Sequence, residues 1–387
     1  MDNLTHSLMG LAAAKAGLER LSPGATPVCI IAANAPDADI LTLIGGRWAY
    51  LHHHRGITHS IVGTLALALL IPSVFYLVDL IIARLKRRPR QIKFRGLLLA
   101  SLIASATHPL MDWTNNYGVR PLLPWSGQWF YGDLVFILDP WLWLTLGGAA
   151  FLLTARTRWR VIAWTALALI LTAAILFLPQ RRTDVSYPVV STVLWLIGLL
   201  GLALAHCGQL ARRYGKALAL VTLSFVVVYW GGLSLLHRRA LAQTEEIARR
   251  LAGDSGERVL RMAAMPTLAD PLRWQGMAET DRATYRFFLS LSRSPAKISD
   301  MVRYEKPQGR EAQVVARASE DRSTEVFLEF ARFPVFQLEG DCASRMFVQL
   351  ADLRYTEPGP ARSRGSFALE LPVACPEQEE TGASTTK

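Results

Sequence analysis

The chain has 387 residues, 51% of them hydrophobic, and a formal net charge of +11. Length alone allows two or three domains. The positive charge argues against nucleic acid as the partner, because it is gathered into short loops between apolar runs, where topology determination explains it better.

Taken in order, residues 3–20 predict a helix capped by Asn3 or Thr5, with Leu4, Leu8, Leu11 and Leu18 near helical spacing. Residues 26–35 form a shorter apolar stretch that ends at Pro36. Neither is long enough to span a bilayer, so residues 1–59 are expected to form a helical hairpin packed against a bundle. Residues 60–236 hold several apolar runs long enough to cross a bilayer, which needs about 20 residues each. Spans are expected near 61–82, 96–110, 135–154, 160–178, 190–207 and 217–236, the second short and ending at His108. Between them, 111–134 is a loop rich in turn formers, and its Trp113, Trp125, Trp129 and Tyr131 suit a membrane–water interface. Residues 240–252 predict a charged connecting helix. Strand-like runs follow at 284–291, 312–317, 324–338, 345–355 and 366–374, within a soluble β-rich domain over 237–376. A polar tail, 377–387, is expected to be disordered. The fold class is thus mostly α: a polytopic transmembrane helical bundle with a C-terminal soluble β-rich domain.

Charge sets the expected orientation. Seven basic residues lie between Arg84 and Arg95, and more at Arg156, Arg158, Arg160, Arg212, Arg213 and Lys216. The alternate loops carry only Arg120, Arg181 and Arg182. The basic set is expected to be cytoplasmic, which places residues 54–59, 108–112 and the C-terminal domain on the opposite, periplasmic face. Residues 1–20 lack the basic start of a cleavable signal peptide. Cys29 and Cys207 fall in apolar segments and are expected in the core. Cys342 and Cys375 are able to pair if their domain faces an oxidising compartment.

Histidine and aspartate crowd the first 140 residues, and these are the ligand types that zinc, manganese and iron prefer. His108 and Asp112 are four apart at the end of a span, so both side chains share one helical face. His54 and His59 flank Arg55-Gly56-Ile57-Thr58. On a regular helix they would point about 140° apart. They meet only if the chain bends, which Gly56 permits, with Thr58 as the cap of the next helix. Asp37 and Asp39 follow Pro36 in an irregular turn, where both can reach a cation or one can orient a ligand histidine. Asp133 is a weaker candidate, and Asp139, before Pro140, also fits a helix start. His52, His53, His206 and His237 are assigned no role. Mixed His/Asp ligands without cysteine point to a catalytic site with one or two divalent ions, zinc first and manganese or iron as alternatives. Asp39 is the expected base, and Arg55 the group that stabilises developing negative charge.

The series Thr5-His6-Ser7-Leu8, Pro36-Asp37-Ala38-Asp39, His54-Arg55-Gly56-Ile57-Thr58-His59-Ser60 and His108-Pro109-Leu110-Met111-Asp112 resembles the bacterial inner-membrane metal-dependent hydrolases of the YdjM type, also described as LexA-binding membrane-associated hydrolases. The resemblance covers roughly residues 1–180. It implies an inner-membrane hydrolase whose site is His6, Asp37, Asp39, His54, His59, His108 and Asp112, and it fixes no substrate. A phosphoester or lipid-linked substrate suits a site at the interface beside a basic group. Two other readings stand beside the hydrolase: a non-enzymatic metal-binding membrane protein, and an adaptor that binds a cytosolic LexA-like protein through the 84–95 loop. Transport is disfavoured by the scarcity of polar residues within spans three to six.

Overall fold

The computed structural model describes residues 1–177, 188–292, 297–341, 345–359 and 367–374. The segments 178–187, 293–296, 342–344, 360–366 and 375–387, and with them Cys342, Cys375, Arg181, Arg182 and the polar tail, lie outside the described residues.

The chain opens with α1 (Asn3–Lys15), capped by Asp2, whose side chain accepts from Thr5 N; neither Asn3 nor Thr5 is the cap. Helix α2 (Ala25–Asn34) returns along α1, and a 3₁₀ stretch, Ala35–Gly45, continues from it. Gly10 makes the α1–α2 approach possible, because a Cβ there would lie 2.5 Å from the Cys29 carbonyl oxygen. A short α3 (Arg47–His53) and a 3₁₀ turn, Ile57–His59, lead to α4 (Ile61–Leu85), which is followed by α5 (Phe94–Trp113). Small residues let α1, α2 and α5 pack closely: Ala14, Ala25, Ala32, Ala100 and Ala104 surround Val28, Cys29 and Leu97, all fully or almost fully buried. The N-terminal hairpin is therefore part of the bundle.

Next come α6 (Pro140–Leu142), a π-helical turn (Trp143–Gly147) and α7 (Gly148–Thr154). This corrects the expected span at 135–154: the helical part is the shorter Pro140–Thr154, with its start fixed by Asp139. Helices α8 (Arg158–Phe177), α9 (Val189–Cys207) and α10 (Leu210–Ser255) complete the helical part. Among the described residues, six segments are long and apolar enough to cross a membrane: 25–45, 61–85, 94–113, 158–177, 189–207 and 210–255. Residues 25–45 take the place that the sequence assigned to 135–154. Helix α10 bends at Tyr214 and then runs without a break through the expected connector, so bundle and soluble domain share one helix.

The C-terminal part holds two antiparallel sheets. β1 (Val259–Thr267), β2 (Asp270–Thr280), β3 (Ala283–Ser290) and β4 (Lys297–Glu305) form one in sequence order. Helices α11 (Gly309–Ala318) and α12 (Arg322–Phe330) precede the second, built from β5 (Pro334–Asp341), β6 (Arg345–Asp352) and β7 (Ala368–Val373). The sheets share a core in which Ala263, Met265 and Met277 meet Phe333, Val335, Ala351 and Leu353. The far end of α10 packs Ala240 and Ala248 against Trp274, Ala278 and Phe287 of the first sheet. One expected strand and the first part of another are helices instead, while 334–338 of the second does form the start of β5. Residues 312–317 lie in α11 and 324–330 in α12, where Val314 with Ala318, and Val326 and Phe327 with Phe330, recur at helical spacing. Asp321 caps α12 by accepting from Ser323 N. Of the two cysteines expected in the core, Cys29 is buried and Cys207 is exposed.

Candidate metal centre

Four elements converge at one end of the bundle. The 3₁₀ stretch brings Asp37 and Asp39, the turn before α4 brings His59, the last two turns of α5 bring His108 and Asp112, and the first turn of α1 brings His6. Asp37, His59, His108 and Asp112 present one donor atom each, and all four lie within 4.8 Å of one another. His59 Nε2 is 3.1 Å from His108 Nε2, 3.4 Å from Asp37 Oδ1 and 3.3 Å from Asp112 Oδ2. His108 Nε2 is 3.4 Å from Asp37 Oδ1 and 3.5 Å from Asp112 Oδ2. A tetrahedral ion with ligand bonds of about 2.0–2.1 Å requires ligand–ligand edges of about 3.3–3.4 Å. Five of the six edges, at 3.1–3.5 Å, thus lie within about 0.2 Å of the length that a tetrahedral ion needs.

The partners outside the centre allow both histidine protons to point away from it. His108 Nδ1 donates to the Ala33 carbonyl oxygen at 2.7 Å, which leaves Nε2 as a lone pair facing inward. His59 Nδ1 lies 3.4 Å from Asp39 Oδ2 and 3.1 Å from Thr58 Oγ1, so its Nε2 also faces inward. Asp37 Oδ2 and Asp112 Oδ2 are buried without a hydrogen bond. Two imidazole lone pairs and two carboxylates facing one another form a donor set that a cation satisfies. The residues fit a divalent metal.

The turn that carries His59 bends differently from the expectation. The left-handed residue is Arg55, at φ 51°, and not Gly56. Gly56 matters for space, because a Cβ there would meet the His53 carbonyl oxygen at 2.5 Å. Ser60, not Thr58, caps α4 by accepting from Gly63 N. A side chain on Gly63 would collide with the Ile57 carbonyl, so this glycine lets the turn lie against α4.

Arg55 is buried and held on all sides. Its Nε is 3.1 Å from Asp112 Oδ2, its Nη1 donates to Asn115 Oδ1 at 2.9 Å and to the Gly118 carbonyl at 3.1 Å, and its guanidinium lies over the Tyr117 ring. Asp39 accepts from Arg55 N at 2.9 Å and from His54 Nδ1 at 3.1 Å. Burial lowers the His54 pKa against the opposing pull of Asp39. His54 and Asp39 therefore sit beside the group of four. So does His6, whose Nε2 is 3.3 Å from Asp112 Oδ1 and whose ring stacks on His108 at 3.7 Å. The Met1 α-amino group also contacts Asp112. Asp133 pairs with Arg332, at 2.8 Å, and Asp139 caps α6 and accepts from Tyr229; neither joins the centre. His52 faces Glu329 at 3.2 Å.

Sequence reasoning missed the Ala33 carbonyl, Asn115 and the role of Tyr117. A backbone carbonyl carries no sequence signal, and Asn115 reads as a turn former. Tyr117 is buried, which pushes its pKa up, and it joins the centre to the C-terminal domain. Its ring meets His54 on one side and Phe330, Tyr355 and Phe367 on the other. Arg354 locks this contact: Nη1 donates to the Asn116 carbonyl at 2.8 Å, Nη2 donates to the Phe330 carbonyl at 2.9 Å, and Asp352 pairs with it in full burial. Burial opposes the Arg354 charge, but Asp352 holds its pKa above the ordinary arginine value.

These features define a helical membrane protein with a His/Asp group able to hold a metal ion. Residues 1–181, which contain the whole centre, match the family described as YdjM inner membrane protein. A 155-residue stretch is 30% identical to the Uncharacterized protein YfhP of Bacillus subtilis (strain 168), covering 38% of this chain and 44% of that protein. The match thus spans less than half of that relative. No solved structure matches the chain.

Proposed function

We propose that this chain is a membrane-embedded, metal-dependent hydrolase acting at the periplasmic face of the inner membrane. One observation carries the reading: two inward Nε2 atoms and two carboxylates meet with tetrahedral spacing beside a buried guanidinium. An ion held by Asp37, His59, His108 and Asp112, with zinc the first candidate, supplies Lewis acidity toward a phosphoryl or carbonyl oxygen and lowers the pKa of water. Arg55, fixed by Asn115 and Gly118, holds positive charge where a substrate anion develops negative charge. Asp39 keeps His54 and His59 oriented through their Nδ1 atoms, and His54, the more exposed of the two, takes up a proton at the rim. The substrate class is a phosphoester or another lipid-linked ester. Ile40, Leu41, Leu43 and Ile44 continue the segment that carries Asp37 and Asp39, and all four are exposed, Ile44 at 89%, which suits a bilayer-resident substrate. The basic loops at the far ends of the spans support the orientation.

A second reading is a metal site that holds the fold without turnover. Its support is the burial of His59, His108 and Asp112, since a closed four-ligand shell suits a structural ion. The test is metal content of the detergent-purified protein, with His59→Ala and Asp112→Ala alongside, followed by a screen of phosphoester and lipid-ester substrates. One or two ions per chain, lost in both variants and accompanied by turnover, supports the hydrolase. Metal with no turnover on any ester class favours the second reading. Folded protein that takes up no ion after repletion overturns both.

A further inference from the structure

The bundle has a second feature at its other end. Helix α1 runs from His6 at the metal centre to Lys15, nine residues or about 14 Å further along its axis. There the ends of α1, α7, α9 and the start of α10 enclose a recess of about 860 Å³. Lys15, Arg20, Arg156, Arg212 and Lys216 line it, with Glu19 as the acid among them. Glu19 is taken by Lys15 at 2.7 Å. Arg212 donates to Gln209, a neutral group. Among the described residues, Arg20, Arg156 and Lys216 have no acidic partner.

Charge placed only to set topology needs no cavity and no convergence. Here cations from separate helices face one space whose volume lies within the usual range of ligand sites, about 300–1,000 Å³. Leu152, Leu153 and Leu210 supply apolar wall beside the charges. Mixed basic and apolar lining between helix ends suits an anionic head with acyl chains attached.

We propose that this recess binds the phosphate-bearing headgroup of an anionic phospholipid drawn from the leaflet opposite the metal centre. Arg20, Arg156 and Lys216 contact the phosphate oxygens, and the leucines contact the first methylenes of the chains. The site is separate from the metal centre, and the inference does not depend on hydrolysis.

The test uses the full chain in a neutral detergent and native mass spectrometry with phosphatidylglycerol, phosphatidylcholine or inorganic phosphate as the probe. Wild type is expected to retain phosphatidylglycerol at least tenfold better than phosphatidylcholine. The triple variant Arg20→Gln/Arg156→Gln/Lys216→Gln is expected to lose about a hundredfold, at about fivefold per charge. A matched variant of the basic loop, Lys86→Gln/Arg87→Gln/Arg95→Gln, removes the same charge elsewhere and is expected to bind as wild type does. Equal retention of the two lipids, or equal loss in the two variants, overturns the site. Phosphate bound as tightly as the lipid overturns the lipid as the source. The melting temperature of each variant without lipid shows that it is folded.

Discussion

Asp39 tests the organisation of the centre most sharply, because it touches two histidines and belongs to none of the four donor positions. One carboxylate oxygen accepts from Arg55 N at 2.9 Å and lies 3.4 Å from His59 Nδ1, while the other accepts from His54 Nδ1 at 3.1 Å. Asp39→Asn keeps the shape but turns one of these acceptors into a donor that faces an existing N–H. Either the His59 ring loses its anchor or His54 does. Removing an orienting partner of a metal-bound histidine weakens metal affinity about 10–100-fold. That is about 1.4–2.7 kcal/mol at 1.36 kcal/mol per tenfold. The assay is competition for zinc between the detergent-purified protein and a chelating fluorophore, at constant pH and salt. Asp39→Asn should fall in that range, whereas His108→Ala, which deletes a donor atom and opens the shell, should lose more. Asp39→Asn and Asp39→Ala proteins that both bind zinc within twofold of wild type refute the claim that Asp39 orients His59.

Other perturbations read other links of the same argument. Gly63→Ala drives a methyl group into the Ile57 backbone, so it should cost about 1–3 kcal/mol by overpacking and lower zinc affinity through displacement of His59; melting temperature and the same competition assay read both. Arg354→Met leaves Asp352 buried and unpaired, at a cost of about 3–5 kcal/mol. Hydrogen exchange should then rise at 116–118 and in β6, while protection in α4 and α5 stays near wild type. Metal affinity should fall as pH is lowered, because protons compete with the ion for its histidine and carboxylate ligands, and the same competition assay reads it. Zinc at a hundred times its dissociation constant should stabilise the chelator-stripped protein by about 2.7 kcal/mol, read as a rise in melting temperature.

The parts of this architecture that were legible in sequence are those in which one local rule decides. The runs at 61–85, 158–177 and 189–207 are apolar over the length that a bilayer needs, and each forms a helix of that length. His108 and Asp112 share a helical face by spacing alone, and both enter the donor group. Where two rules competed, the reading failed. Residues 25–45 were split at Pro36, yet the proline sits where a 3₁₀ stretch takes over from α2, a position that needs no helical N–H. Residues 324–330 alternate loosely but also place Val326, Phe327 and Phe330 on one helical face, and packing against the second sheet selects the helix. Strands β1 and β2 were missed because Val259–Thr267 and Asp270–Thr280 contain few β-branched residues and depend on their sheet partners. The bend at Arg55 could not be assigned because a glycine stood next to it, and φ preference alone pointed there.

The division of labour between the two halves follows from where the contacts fall. Every donor atom of the centre, and Arg55 with its partners Asn115 and Gly118, lies within residues 1–181, the part matched by the family. The groups packed outside Tyr117 and His52 come from beyond it: Glu329, Phe330, Tyr355 and Phe367, fixed by the Arg354–Asp352 pair. Metal chemistry depends on ligand identity and spacing, which the first half supplies alone. On the proposed hydrolase reading, access to the centre is governed by the groups packed around Tyr117, which the C-terminal domain supplies. Substitutions in the aromatic cluster should therefore change which esters are turned over more than they change zinc affinity. Phe330→Ala, assayed for both, separates the two: a loss of zinc affinity as large as that of Asp39→Asn would show that the domain holds the centre together instead of governing entry to it.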